Sequence, residues 1–310
     1  MKIFLSLLLI SPLILSSEIS LDKKAITFWS GASRLSGDIY KPSNLADDQL
    51  VPAILLIPGW GGNKENLNKS FAPQFAKLGY VVMTFDFRGW GESDGFFLPN
   101  QSMPLTLNDQ NIDVQGKQKR LIVNPEMMIE DARAALSWLA GEAHVQSNNI
   151  GLWGTSFGGG IALVTAANDP RVQALISQMG TVNSKANFDM IPDSMVSGWE
   201  TQRARGVIPP YPGKESALPG LEGYPDLIAL KKYDPASYWS KVSIPTLIID
   251  ASQEELFDIK KNGEKLHHFL KNKVETKYIP IEGTHYDLYK GEGYKKALFE
   301  AEQWFFLHLK

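Results

Sequence analysis

Apolar runs of strand length alternate along the chain with stretches of helical period. PAILLIPG (52–59) and YVVMTFDFRG (80–89) are almost continuously apolar, as expected of strands buried on both faces. NIGLW (149–153), RVQALISQMG (171–180), IPTLIIDAS (244–252) and ETKYIPIEG (275–283) repeat the pattern. AITFWS (25–30) and LSGDIYKP (35–42) predict a first pair of strands around the turn at Gly31. Between the runs lie helical stretches. One spans about 66–78 and stops at Gly79, and another covers 124–141, with Met128, Ala132, Ala135 and Leu139 three or four apart and Gly141 at its end. A third runs from the glycines after Ser156 to about 167, a fourth separates the last two strands, and 292–309 is the last, with aromatics on one face. Repeated β–α units predict a mostly parallel sheet of about eight strands, with helices on both faces.

The rhythm fails between Gly180 and Ile244. This segment is rich in proline and glycine, as in RGVIPPYPGKESALPGLEGYPD (205–226). A structureless loop of that length is improbable in a compact domain. It reads as a partly helical insertion, about 183–240, forming a cap or lid over the carboxyl ends of the strands, where ligands of such sheets bind.

MKIFLSLLLISPLILSSE opens the chain with a lysine, an apolar stretch and small residues at Ser16 and Ser17, the layout of a secretory signal peptide. The expected organisation is a signal over 1–17 and one α/β domain over 18–310, periplasmic or secreted, with no membrane association after cleavage. The apolar stretch is short for a membrane span, which needs ~20 residues. The chain has 310 residues, no cysteine and a formal charge of −3. Disulfides and thiol chemistry are excluded, and no basic surface suited to nucleic acid is expected. Oligomeric state is not legible at this level.

GTSFG (154–158) sits between a predicted strand and a predicted helix. A turn so sharp requires flanking residues without a Cβ, and it lifts Ser156 above the end of the sheet. This G-x-S-x-G turn, with LLIPGWGGNKEN and FDFRGWGESDG before it, resembles the α/β-hydrolase superfamily over nearly all of the chain after the signal. The resemblance is to its dienelactone-hydrolase and feruloyl- or acetyl-esterase branch, and also to X-Pro dipeptidyl-peptidase-like hydrolases. It implies a serine nucleophile, a carboxylate and a histidine in the order Ser, Asp or Glu, His.

Of five histidines, His285 alone follows the last strand, at the sheet end that carries Ser156, and it is the candidate general base. His144 precedes the nucleophile in a polar loop, His267 and His268 are adjacent on a helix, and His308 is in the last helical turn. The acid is expected in LIIDASQEELFD. Aligned with the H-G-x-x-D of related chains, Asp250 stands for the histidine and Glu254 for the acid, so Glu254 is the candidate. Asp250 and Glu255 remain alternatives, and Asp258 reads as a charge at a helix start. The resemblance places the oxyanion donors on the backbone N–H groups of Phe157 and of Trp60 in PGWGG, where Pro58 replaces the usual histidine. Arg88 reads as packing beneath the site, with substrate contact as the alternative. Trp90, Phe96, Phe97 and Trp199 read as core aromatics before pocket ones.

The expected activity is cleavage of a carboxylic ester in a small-molecule substrate through an acyl-enzyme, with Ser156, Glu254 and His285 as triad and neither metal nor organic cofactor. A peptidase, thioesterase or acyltransferase would use the same residues, and a non-catalytic binding protein on this fold is the alternative from another class. A dehalogenase would carry aspartate in place of Ser156.

Overall fold

The computed structural model describes residues 19–100 and 113–310. The signal expected over 1–17 lies outside the described residues. Among the described residues, twelve strands and eight helices follow one another as β1 (Leu21–Ser30), β2 (Ser33–Pro42), β3 (Val51–Ile57), α1 (Lys64–Lys69), α2 (Phe71–Lys77), β4 (Val81–Phe85), β5 (Phe96–Pro99), β6 (Gly116–Lys119), β7 (Ile122–Val123), α3 (Pro125–Ala140), β8 (Val145–Thr155), α4 (Phe157–Ala166), β9 (Val172–Gln178), α5 (Asp193–Ala204), β10 (Tyr224–Pro225), α6 (Leu227–Lys232), β11 (Thr246–Ala251), α7 (Gly263–Leu270), β12 (Thr276–Ile281) and α8 (Gly291–His308).

Eight of the strands form the central sheet, in the order β1-β2-β4-β3-β8-β9-β11-β12. β2 pairs antiparallel with both its neighbours, and every other pairing in this sheet is parallel. This is the mostly parallel sheet of about eight strands that the apolar runs predict. β3 shows why those runs are continuous: Ala53, Leu55 and Ile57 enter the core under α3, α4 and α7, while Ile54 and Leu56 enter the one under α1, α2 and α8. Both faces of the strand are dry, so neither set can be polar. On the second face Trp153 is fully buried, its ring 4.5 Å from that of Phe71.

The helix predicted over 66–78 is two helices. Ser70, at φ −121° and ψ −89°, breaks it. Pro73 has no N–H for the carbonyl of Lys69 and its ring would crowd that turn, so it is accommodated only in the first turn of a new helix. A second departure is the hairpin β5–β6, which the apolar pattern did not announce because β6 is exposed throughout.

The segment 183–240 folds as a 3₁₀ turn (Ser184–Phe188), α5, a short turn (Lys214–Ser216), β10, α6 and a final 3₁₀ turn (Pro235–Lys241). It is anchored to the main body at several points. β10 pairs in parallel with β7, and the Trp239 indole donates to the carbonyl of Val182 at 3.1 Å. Asp226 caps α6 and holds Arg203 of α5 in a forked ion pair.

Candidate active site

Ser156 links the carboxyl end of β8 to the first turn of α4, with φ +54° and ψ −126°. A side chain is rarely found at such angles, and the strain of roughly 1–3 kcal/mol persists only where packing over-determines it. Two glycines supply that packing. A Cβ at Gly158 would drive into the carbonyl oxygens of Ile57 and Pro58, and one at Gly59 would sit 2.9 Å from the Cβ of Ser156. The turn is also pinned from below: the Ser156 N–H donates to Gln178 of β9 at 2.9 Å, and its carbonyl accepts from Gly159 and Thr181.

His285 follows β12 in a short 3₁₀ turn, His285–Tyr289, and is almost fully buried. Its Nδ1 lies 2.8 Å from Oε2 of Glu254. With a carboxylate as partner, Nδ1 carries the proton and Nε2 is left free to accept one. Glu254 is held in turn, because its Oε1 accepts the N–H of Leu256 at 3.0 Å and its side chain is only 1% exposed. Glu255 has a different part. Its Oε2 accepts the backbone N–H of His285 at 2.8 Å, so it fixes the histidine's main chain and not its ring. Ser252 and Gln253 donate to the carbonyls of Ile281 and Gly283, so four bonds lace the two loops together.

Asp250 lies elsewhere. It is fully buried on β11, packed against Gly263 at the start of α7. Burial pushes its carboxyl up to about 8, only partly offset by the Tyr278 hydroxyl. Asp258 lies in a turn ahead of α7, where it accepts the N–H of Lys260.

Ser156 and His285 line one cleft of about 610 Å³, together with Trp60, Asn63, Leu221, Leu256, Tyr286 and Tyr289, among others. The two side chains share no direct hydrogen bond here; such contacts commonly tighten only when substrate is bound. Phe157 is the first residue of α4, so its N–H is among those a helix leaves without an internal acceptor. The Trp60 and Phe157 rings meet edge to face at 5.4 Å, which puts the two expected oxyanion residues side by side.

Arg88 is buried away from this cleft. Its guanidinium bonds Asp131 twice, at 2.9 and 2.7 Å, and also reaches Ser30 and Glu130. Trp90 and Phe96 are buried, Phe97 is half exposed, and Trp199 borders a second cavity within the insertion. The sequence reading missed Tyr289. It lines the cleft, its ring is 5.9 Å from that of His285, and its hydroxyl lies 2.6 Å from Oγ1 of Thr155, the residue before Ser156. Its spacing, four residues after His285 in THYDLY, was the available signal.

Comparison with known proteins agrees with this architecture. The chain is 28% identical over 292 residues, 83% of its length and 91% of the relative's, to an uncharacterized 31.7 kDa protein of Escherichia coli from the traX-finO intergenic region. It is 31% identical over 153 residues to the quorum-quenching protein AidA of Acinetobacter baumannii, a match to 49% of this chain and 42% of AidA. Among solved structures, the α/β hydrolase GrgF of Penicillium superposes with a TM-score of 0.69 at 18% identity, over 94% of this chain and 99% of that one. A dienelactone hydrolase of Anabaena variabilis gives 0.55 at 17% identity, over 94% and 99%. The family model of the X-Pro dipeptidyl-peptidases (S15 family) matches residues 30–204, more than half of the chain. With that match and the eight-stranded sheet, the chain belongs to the S15 family of the α/β-hydrolase superfamily and is a hydrolase by descent.

Proposed function

We propose that the protein is a serine hydrolase that cleaves carboxylic esters of small molecules through an acyl-enzyme. The observation that carries this reading is the buried Glu254–His285 pair opening onto the cleft that holds Ser156 at its strained turn. Ser156 Oγ attacks the ester carbonyl carbon and its proton passes to His285 Nε2. Glu254 keeps the ring oriented and stabilises the imidazolium. The N–H groups of Trp60 and Phe157 take the charge that develops on the carbonyl oxygen, reinforced by the amino end of α4. The carbon–oxygen bond then breaks, and His285 returns the proton to the departing alcohol. Water, deprotonated by His285, attacks the acyl carbon; the bond to Ser156 Oγ breaks, His285 returns the proton to Oγ, and the acid is released.

The insertion, 183–240, is the cap in this reading: Leu221 reaches the cleft wall and narrows the space open to the acyl group. The ester preference is supported by a cleft that mixes apolar walls (Leu221, Leu256, Tyr286, Tyr289) with the polar Asn63 and Asn66. The test is a panel of 4-nitrophenyl esters of rising acyl length, set beside a thioester and an aminoacyl-proline anilide. The reading requires the esters to turn over fastest, and preferential cleavage of the anilide would make the protein a peptidase.

A further inference from the structure

The oxyanion residues are not held by the hydrolase core alone. The loop 58–63 between β3 and α1 has few bonds of its own: Gly62 N–H to Gly59 O at 3.1 Å, and the Asn63 side chain capping Glu65 N–H. At its tip, Trp60 sends its indole Nε1–H across to the carbonyl of Glu222, 162 residues on in the insertion, at 2.9 Å. Directly beside that contact, Leu221 enters the cleft and a Cβ at Gly61 would meet Glu222. The second oxyanion residue leans on the insertion too. The Phe157 ring packs 5.5 Å from that of Tyr233, which follows α6. The acceptor side is well braced, since Tyr224 N–H bonds Leu121 O at 2.7 Å and β10 pairs with β7.

We propose that the Trp60 side chain is a positioning residue: its bond to Glu222 lets the insertion fix the aim of the Trp60 backbone N–H at the oxyanion. This rests on the serine-hydrolase reading above. An oxyanion donor acts only when it lies about 2.7–3.1 Å from the developing charge, so a small rotation of the loop forfeits much of its effect. The cap thus has a second task besides covering the cleft. It braces the Trp60 donor through a hydrogen bond and flanks the Phe157 donor through Tyr233.

Trp60→Phe removes the indole N–H and keeps both an aromatic ring and the backbone amide. Gly223→Ala perturbs the same bond from the other side, because a Cβ there would lie 2.6 Å from Leu121 O and 2.7 Å from the Trp90 ring and so displace the Glu222 carbonyl. In the full chain, each variant is expected to lower kcat on a short 4-nitrophenyl ester on the order of ten-fold, with KM within about two-fold of wild type. The affinity for a boronic acid, which binds Ser156 as a tetrahedral adduct, should fall by the same factor as kcat. A merely structural role would lower thermal stability or raise KM without this paired loss. If Trp60→Phe does not fold, Gly223→Ala decides. Unchanged kcat and boronate affinity in a folded variant overturn the proposal. A wild-type protein that hydrolyses no ester and does not bind the boronate overturns instead the serine-hydrolase reading beneath it.

Discussion

Glu254 and His285 face each other at 2.8 Å, both side chains almost wholly out of water, while Glu255 grips the backbone N–H of the same histidine. Two adjacent carboxylates on one loop therefore divide the work: one orients the imidazole, the other its main chain. In the proposed mechanism the former stabilises the imidazolium and the latter carries no charge-stabilising task. Glu254→Gln should accordingly lower kcat by roughly 10³–10⁴-fold with little change in KM. Glu255→Gln keeps an acceptor for the His285 N–H and should cost less than about ten-fold. Steady-state kinetics on one ester measure both, and a larger loss at Glu255 would reverse the assignment.

Asp250 gives a prediction in stability, not in rate. Burial raises its carboxyl from 3.8 to about 8 in the folded protein. The folded state therefore holds a proton that the unfolded chain releases above about pH 4, and folding is favoured most below that value. Stability should decline as pH rises from about 4 through 8. Asp250→Asn, which imitates the protonated carboxyl, should flatten this decline while leaving kcat at neutral pH nearly unchanged. Thermal melts of both proteins between pH 5 and pH 9 test the sign, and a wild type that gains stability over that range relative to the variant would contradict it.

Arg88 distinguishes a structural arginine from a substrate-binding one. Removing it strands Asp131, which is wholly buried, without its counter-charge. Arg88→Met should destabilise the fold by about 3–5 kcal/mol and leave the KM of the surviving folded protein unaltered. Denaturant titration gives the first quantity. A rise in KM at unchanged stability would put Arg88 in contact with substrate after all.

In the proposed reading, the insertion acts on selectivity through Leu221, which lines the cleft. Leu221→Trp should cut kcat/KM for long acyl esters far more than for acetate, because the larger ring occupies the cleft and does not touch Ser156. Equal losses across chain lengths would place the acyl path elsewhere in the cleft.

The features written locally in the sequence were the ones it disclosed. The alternation of Ala53, Leu55 and Ile57 with Ile54 and Leu56 needs two dry faces, and the chain shows this as an unbroken run. Ser156 is legible because its strained turn demands glycine at fixed neighbouring positions. His285 is legible because the end of β12 brings it to the same edge of the sheet. The choice of Glu254 over Asp250 came only from register with related chains, since both sit within five residues of one another near the end of β11 and only the path of the loop separates them. The Trp60–Glu222 bond joins residues 162 apart through a backbone carbonyl, which leaves no mark on residue type. The break at Ser70 was written in Pro73, but the apolar spacing of the two helices is continuous across it.

In the proposed mechanism Ser156 ties strain to function. With φ at +54°, replacement by glycine should relieve the turn and raise the melting temperature, a gain of about 1 kcal/mol, while abolishing hydrolysis. A Ser156→Gly protein less stable than wild type would mean that the turn is not strained.

The most direct measurement is covalent. A fluorophosphonate reacts only with a serine whose proton is drawn off by a base and whose oxyanion is received by aligned donors. Treated with such a probe and digested, the wild-type protein should yield one modified peptide, labelled at Ser156, with loss of ester hydrolysis in step with labelling. The label should be absent from Ser156→Ala and strongly slowed in Glu254→Gln. Full labelling with undiminished hydrolysis, or an active enzyme labelled at another serine, would contradict the account.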